Sequence, residues 1–140
     1  MTSIMEIKQK TSKYKANLHE ELKIDDAIEY AEVIAKDMQK VKTHQLRRFF
    51  LAVKNIQKKV VDLKDNDPFP PEEYAELQML RPQLANAVGR LHGKEKFAMQ
   101  NLLEILQPIF KTVKKNKDFE RFVNFFESIV AYHKVHAEQQ

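Results

Sequence analysis

From Ile24 onward the apolar residues recur at steps of three and four, the spacing that lines one face of an α-helix. The pattern predicts a first firm helix after Asp25, read as its N-cap, to about Lys40, with Ile28, Ala31, Ile34, Ala35 and Met38 turned inward. Thr43 reads as the next N-cap. Leu46, Phe49, Val53, Ile56, Val60 and Leu63 then follow one another at steps of 3, 4, 3, 4 and 3, a continuous seam with Phe50 beside it. Residues 65–71, Asp-Asn-Asp-Pro-Phe-Pro-Pro, end that helix, because proline has no N–H to donate and clashes with the preceding turn.

A third helix opens at Pro71, where proline suits the first turn and Glu72 and Glu73 suit the positive end of the helix dipole. Its seam is Leu77, Leu80, Leu84, Ala87, Val88 and Leu91. Pro82 inside that seam predicts a kink or split near Leu80, and Gly93 reads as the C-cap. A fourth helix is expected over 94–115, with Met99, Leu102, Leu103, Leu106, Phe110 and Val113 inward and a kink at Pro108. The last begins near Asp118 and aligns Phe119, Phe122, Phe126, Ile129 and His133, with Phe125 and Tyr132 widening the stripe for core packing or for contact with a neighbouring subunit. Residues 1–23 are polar, with lysines at 8, 10, 13 and 15, and read as an N-terminal arm or weak helix. The expected fold is all-α: the arm, then a single-domain bundle of about five helices over 24–140, with proline kinks in the third and fourth.

Composition narrows the possibilities. A chain of 140 residues, 43% hydrophobic, can bury one compact core, and two glycines with five prolines argue against a turn-rich β architecture. The absence of cysteine excludes disulfides, thiolate metal sites and cysteine nucleophiles. The first fifteen residues hold no apolar run of signal-peptide length, and no stretch approaches the roughly 20 apolar residues that span a bilayer. A soluble, intracellular protein with no membrane partner is expected.

The net charge of +4 conceals alternating blocks. Asp25, Asp26, Glu29 and Glu32 precede a stretch, residues 36–64, with nine Lys or Arg against two Asp. Asp65, Asp67, Glu72, Glu73 and Glu76 reverse the sign, and Lys111, Lys114, Lys115 and Lys117 restore it. Such alternation predicts poles of opposite charge. On the second helix Arg47, Lys54 and Lys58 share one line with Leu51, and Arg48, Asn55 and Lys59 share the adjoining line, both away from the seam. A solvated helix face explains them; so does a surface for phosphates, which guanidinium groups recognise well.

Other motifs carry less chemistry. Gly89 to Lys94 is one residue short of a phosphate-loop spacing, has Glu95 where a hydroxyl residue is required, and follows no strand. His133 and His136 lie three apart without the further ligands that zinc needs, and His133 falls on the apolar stripe, as a hydrogen-bonded core histidine would. Asp25, Asp26, Glu72 and Glu73 stand at helix starts, where capping accounts for them. No arrangement of residues for hydrolysis or group transfer emerges, and no cofactor or metal is expected.

Three segments carry a family resemblance. Residues 43–50 (Thr-His-Gln-Leu-Arg-Arg-Phe-Phe), residues 80–90 (Leu-Arg-Pro-Gln-Leu-Ala-Asn-Ala-Val-Gly-Arg) and residues 122–134, ending Tyr-His-Lys, resemble in order the small helical subunit of type III-A CRISPR effector (Csm) complexes. Asn86 stands where an aromatic residue is expected in that pattern. The resemblance implies a non-catalytic subunit of a prokaryotic, cytoplasmic antiviral ribonucleoprotein. Its partners would be target RNA and guide RNA, gripped through the phosphate backbone without sequence preference, the backbone and large subunits, and further copies of itself. Position by position it implicates Arg47, Arg48, Arg81, Arg90 and Lys134 in RNA binding, and local charge adds Lys42, Lys54, Lys58 and Lys94. The competing expectation is a helical adaptor that binds only protein.

Overall fold

The computed structural model describes residues 2–137. Met1 and residues 138–140, the outer ends of the expected arm and bundle, lie outside the described residues. The described chain forms eight helical segments and no strand: α1 (Ile4–Thr11), α2 (Leu18–Glu21), α3 (Ile24–Asp37), α4 (Thr43–Lys59), α5 (Pro71–Gln78), α6 (Leu80–Gly89), α7 (Gly93–Phe110) and α8 (Asn116–His136). They share a single hydrophobic core.

The additional segments come from two places. Residues 4–22, expected as an arm or weak helix, supply α1 and α2 and place Ile7, Leu18 and Leu22 fully inside the core. The expected third helix is two segments, α5 and α6, meeting at Met79. Pro82 is the third residue of α6, where its missing N–H leaves little unsatisfied. Pro108 lies inside α7, which continues to Phe110.

Helix starts differ in detail from the expected caps. Lys23, not Asp25, precedes α3, so Asp25 and Asp26 lie in the first turn and face the dipole instead of capping it. Lys42 occupies the position expected for Thr43. Gly93 does not cap the preceding helix: Arg90 does, and Gly93 opens α7 with φ 60°, a left-handed conformation that a side chain would strain.

The seams of α4, α7 and α8 are buried as the spacing predicts, except that Leu63 is half-buried. Ile28 is a correction: it is 41% exposed, and Ala27 and Tyr30 take the inward positions on α3. Phe125 is fully buried, which removes it from any contact with a neighbouring subunit, and Tyr132 is half-buried. Rings of Phe50, Phe126, Phe122 and Phe110 succeed one another with centroids 5.1–6.2 Å apart through the middle of the bundle. Phe110, Phe122 and Phe126, which are buried, contribute about 2–3 kcal/mol each, and half-buried Phe50 less.

Direction along the bundle follows from side-chain partners. α3 and α8 run the same way, since Arg121 donates to the carbonyl of Leu22 and His133 to that of Met38. α4 runs against α8, with Phe50 stacked on Phe126 and Lys58 sharing a depression with Phe119. α6 and α7 are antiparallel, with Arg81 bonded to Gln107. One end of the bundle therefore gathers the α3–α4 turn, the α6–α7 turn and the end of α8.

At the other end, the 64–70 loop is tied to the start of α8. Phe69 N–H donates to the Lys114 carbonyl at 2.9 Å, and Asn116 and Lys117 donate to the carbonyls of Asp67 and Asp65 at 2.9 and 3.0 Å. The acidic loop and the lysines at 114–117 thus lie against each other, and that end is mixed in sign rather than the acidic pole the block pattern predicts.

Candidate functional site

The end that collects the two turns is strongly basic. Lys40 and Lys42 stand in the α3–α4 turn, Arg47 and Arg48 on the first turns of α4, and Arg90, Lys94 and Lys96 around the α6–α7 turn, with Lys134 near the end of α8. Asp37 and Glu95 are the acids of these stretches, and Asp37 accepts a hydrogen bond from Asn101 at 3.1 Å.

Side-chain locking holds the end together. His133 is 1% exposed, and its Nε2 lies 3.0 Å from the Met38 carbonyl and 2.9 Å from that of Val41. Both partners are acceptors, so Nε2 carries the proton. α8 thereby adds a side-chain donor to the Met38 carbonyl, which also accepts from the Val41 N–H at 2.9 Å, and to the Val41 carbonyl just past the end of α3. His133 is a core histidine with its Nε2 occupied. Among the described residues no group of three His, Cys, Asp or Glu is placed to hold a metal ion.

Arg48 and Arg90 meet across a cleft between α4 and α6. Phe49, Ala52 and Ala87 form its apolar lining, and Gln83 and Asn86 add amides, around a volume of about 330 Å³. The cleft continues along α4 past Ala52 and Gln83 towards Glu76, which is bound by Lys59 at 2.9 Å. Neither the Arg48 nor the Arg90 side chain has an acidic or hydrogen-bonding partner among the described residues. Both guanidinium groups are exposed, so their five N–H donors each remain available to an anion.

The other expected residues divide into three groups. Lys54 and Lys58 line a second depression, on the flank of α4 that faces α8, with Phe119 and Glu120. Lys54 is 3.9 Å from Glu127 and 5.8 Å from the ring centre of Phe50. Arg81 is half-buried and engaged inside the protein: Nε donates to Gln107 Oε1 at 2.9 Å and Nη1 to Gln78 Oε1 at 3.1 Å. Lys42, Arg47, Lys94 and Lys134 are exposed at the basic end but line neither cleft. Arg47 lies about 100° from Arg48 around the helix axis, on the line of Lys54 and Lys58. Lys58 stands about 15 Å further along α4 than Arg48.

Gln83, His92, Lys96 and Phe97 also belong to this region and are not prominent in the chain. Periodicity marks inward positions, and these residues are outward ones.

The site and fold define a small all-helical protein with a cationic end and a two-arginine cleft. No helix is long and apolar enough to cross a membrane among the described residues. The family model described as Csm2 Type III-A matches residues 21–139, and the chain belongs to that family, the small subunits of type III-A CRISPR Csm complexes. This makes it a structural subunit of such an effector complex. No curated protein and no solved structure matches the chain.

Proposed function

We propose that the basic end, centred on the Arg48–Arg90 cleft and extended by Lys42, Arg47, Lys94 and Lys134, binds the phosphate backbone of the target and guide RNA of the complex. The observation that carries this reading is the convergence of two unpartnered arginines from separate helices on one cleft. Holding two like charges together is unfavourable in the free protein and is relieved by a polyanion. Lys54 and Lys58 continue the cationic face along α4, and Arg81 acts mainly as an internal tie. Contacts of this kind hold backbone geometry and leave sequence reading to base pairing. The remaining surface packs against copies of the chain and against the backbone and large subunits.

The test is RNA affinity across a salt series, comparing the natural chain with one carrying Arg48→Ala and Arg90→Ala together. Hydrogen bonds to charged groups contribute about 1.5–3 kcal/mol each, so the double variant should bind at least about 100-fold more weakly. Its salt slope for single-stranded RNA should fall by about 1.4, near 0.7 per lost phosphate contact. Unchanged affinity would remove the cleft from the interface. A natural chain that binds no RNA at any salt, while holding a protein partner, would instead favour the helical adaptor.

A further inference from the structure

Phe97 is 74% exposed and is the one aromatic among the large apolar side chains that the described residues leave to solvent. It stands two residues before Met99, about 200° around α7 from that buried side chain, so the core cannot reach it. None of the ring pairs or cation–ring contacts among the described residues includes it. A full aromatic face is therefore presented to water.

Its surroundings select the partner. Lys94 lies one turn before it on the same face of α7, Lys96 is adjacent in the chain, and Arg90 caps the preceding helix; Lys94, Lys96 and Arg90 are all exposed. Of the acids of this region, Glu95 lies two residues before Phe97, about 200° around α7 from it, and Asp37 is held by Asn101. An apolar protein partner would have to cover these cations without compensating them. A strand of RNA offers both requirements together, phosphates for the cations and an unstacked base for the ring.

We infer that Phe97 is a stacking platform for an unpaired nucleobase of single-stranded RNA, with Lys94 and Arg90 holding the flanking phosphates. This rests on the RNA-binding reading above and adds to it a preference for unpaired over fully duplex RNA. A duplex keeps its bases stacked on one another and offers the ring no free face.

The chain has no tryptophan, so Phe97→Trp creates a single fluorescent reporter at the site. Titration with a short oligouridylate should quench its emission and saturate together with binding measured by anisotropy. A duplex of the same length should bind through its phosphates with little quenching. Phe97→Ala should weaken oligouridylate binding about 5- to 150-fold, the range for losing one base–aromatic stack, and leave the salt slope unchanged because no cation is removed. Phe97→Leu, which keeps an apolar side chain without a flat ring, should behave like the alanine variant.

Wild-type affinity in Phe97→Ala, or equal quenching by duplex and single strand, overturns the stacking role. If the Arg48→Ala, Arg90→Ala chain still loses affinity in the same experiments, the phosphate-binding reading survives that failure. Loss of self-association in Phe97→Ala with RNA affinity unchanged would show the ring to be a protein contact and also overturn the proposal. Absence of RNA binding by the natural chain defeats the reading on which it rests.

Discussion

His133 donates its Nε2–H to the main-chain carbonyl of Met38 across 3.0 Å, fastening the end of α8 to the end of α3. The same hydrogen is shared with the Val41 carbonyl at 2.9 Å, so one buried ring spans the turn that leads into α4. The turn carries Lys40 and Lys42, and Arg47 and Arg48 follow within two helical turns. The position of the cationic end therefore depends on a buried hydrogen bond beneath it.

Replacing His133 by alanine leaves two buried carbonyls without this donor and opens a cavity. The expected loss is about 2–4 kcal/mol, seen as a lower urea midpoint with little change in slope. RNA affinity should fall as well, because the basic turn loses its support. An unchanged midpoint would mean that α8 does not anchor the turn.

Arg81 provides a contrast with Arg48 and Arg90. Its Nε and Nη1 donate to Gln107 and Gln78, and Gln78 in turn donates to the Phe110 carbonyl at 2.7 Å. Arg81→Lys keeps the charge and removes the fork geometry. It should cost about 1 kcal/mol of stability while leaving the salt slope of RNA binding intact. Denaturation and salt titration of the same preparation separate these effects.

Asp118 gives the fold an acid-sensitive point. Burial pushes its carboxyl pKa up, but hydrogen bonds from the His19 N–H and ring and from the Lys115 and Lys114 N–H groups prevail and hold it below its ordinary value of 3.8. A depressed folded pKa contributes stability that is fully present well above pH 3.8 and is lost as the pH falls through the folded value. Asp118→Asn should destabilise the protein by about 1–3 kcal/mol at neutral pH. Its unfolding free energy should also change less than that of the natural chain between neutrality and strong acid, as read from urea melts at several pH values.

Residues 4–22 are expected to be integral to stability. Leu22 and Leu18 are 0% exposed, and the Leu18 N–H donates to the Thr112 carbonyl at 3.0 Å. Leu22→Ala should lower the unfolding free energy by about 2–5 kcal/mol, the usual cost of a large-to-small change in a core. A detachable arm would show almost none of this loss in the same denaturation series.

The chain by itself determined the helices with long, regular seams: Leu46 to Val60, Met99 to Val113 and Phe119 to His133 carry their burial pattern in their spacing, because helical periodicity is a local property of the backbone. It also determined that no cysteine chemistry occurs and that the span 36–64 is basic. Residues 4–22 were harder to read, since three fully buried apolar side chains among many lysines give too sparse a stripe to show a period. Only the tertiary structure decided that Arg48 faces Arg90 and that Arg81 is tied to two glutamines. Those relationships join residues from different helices, and the meeting of their side chains depends on the registers and directions in which the helices pack.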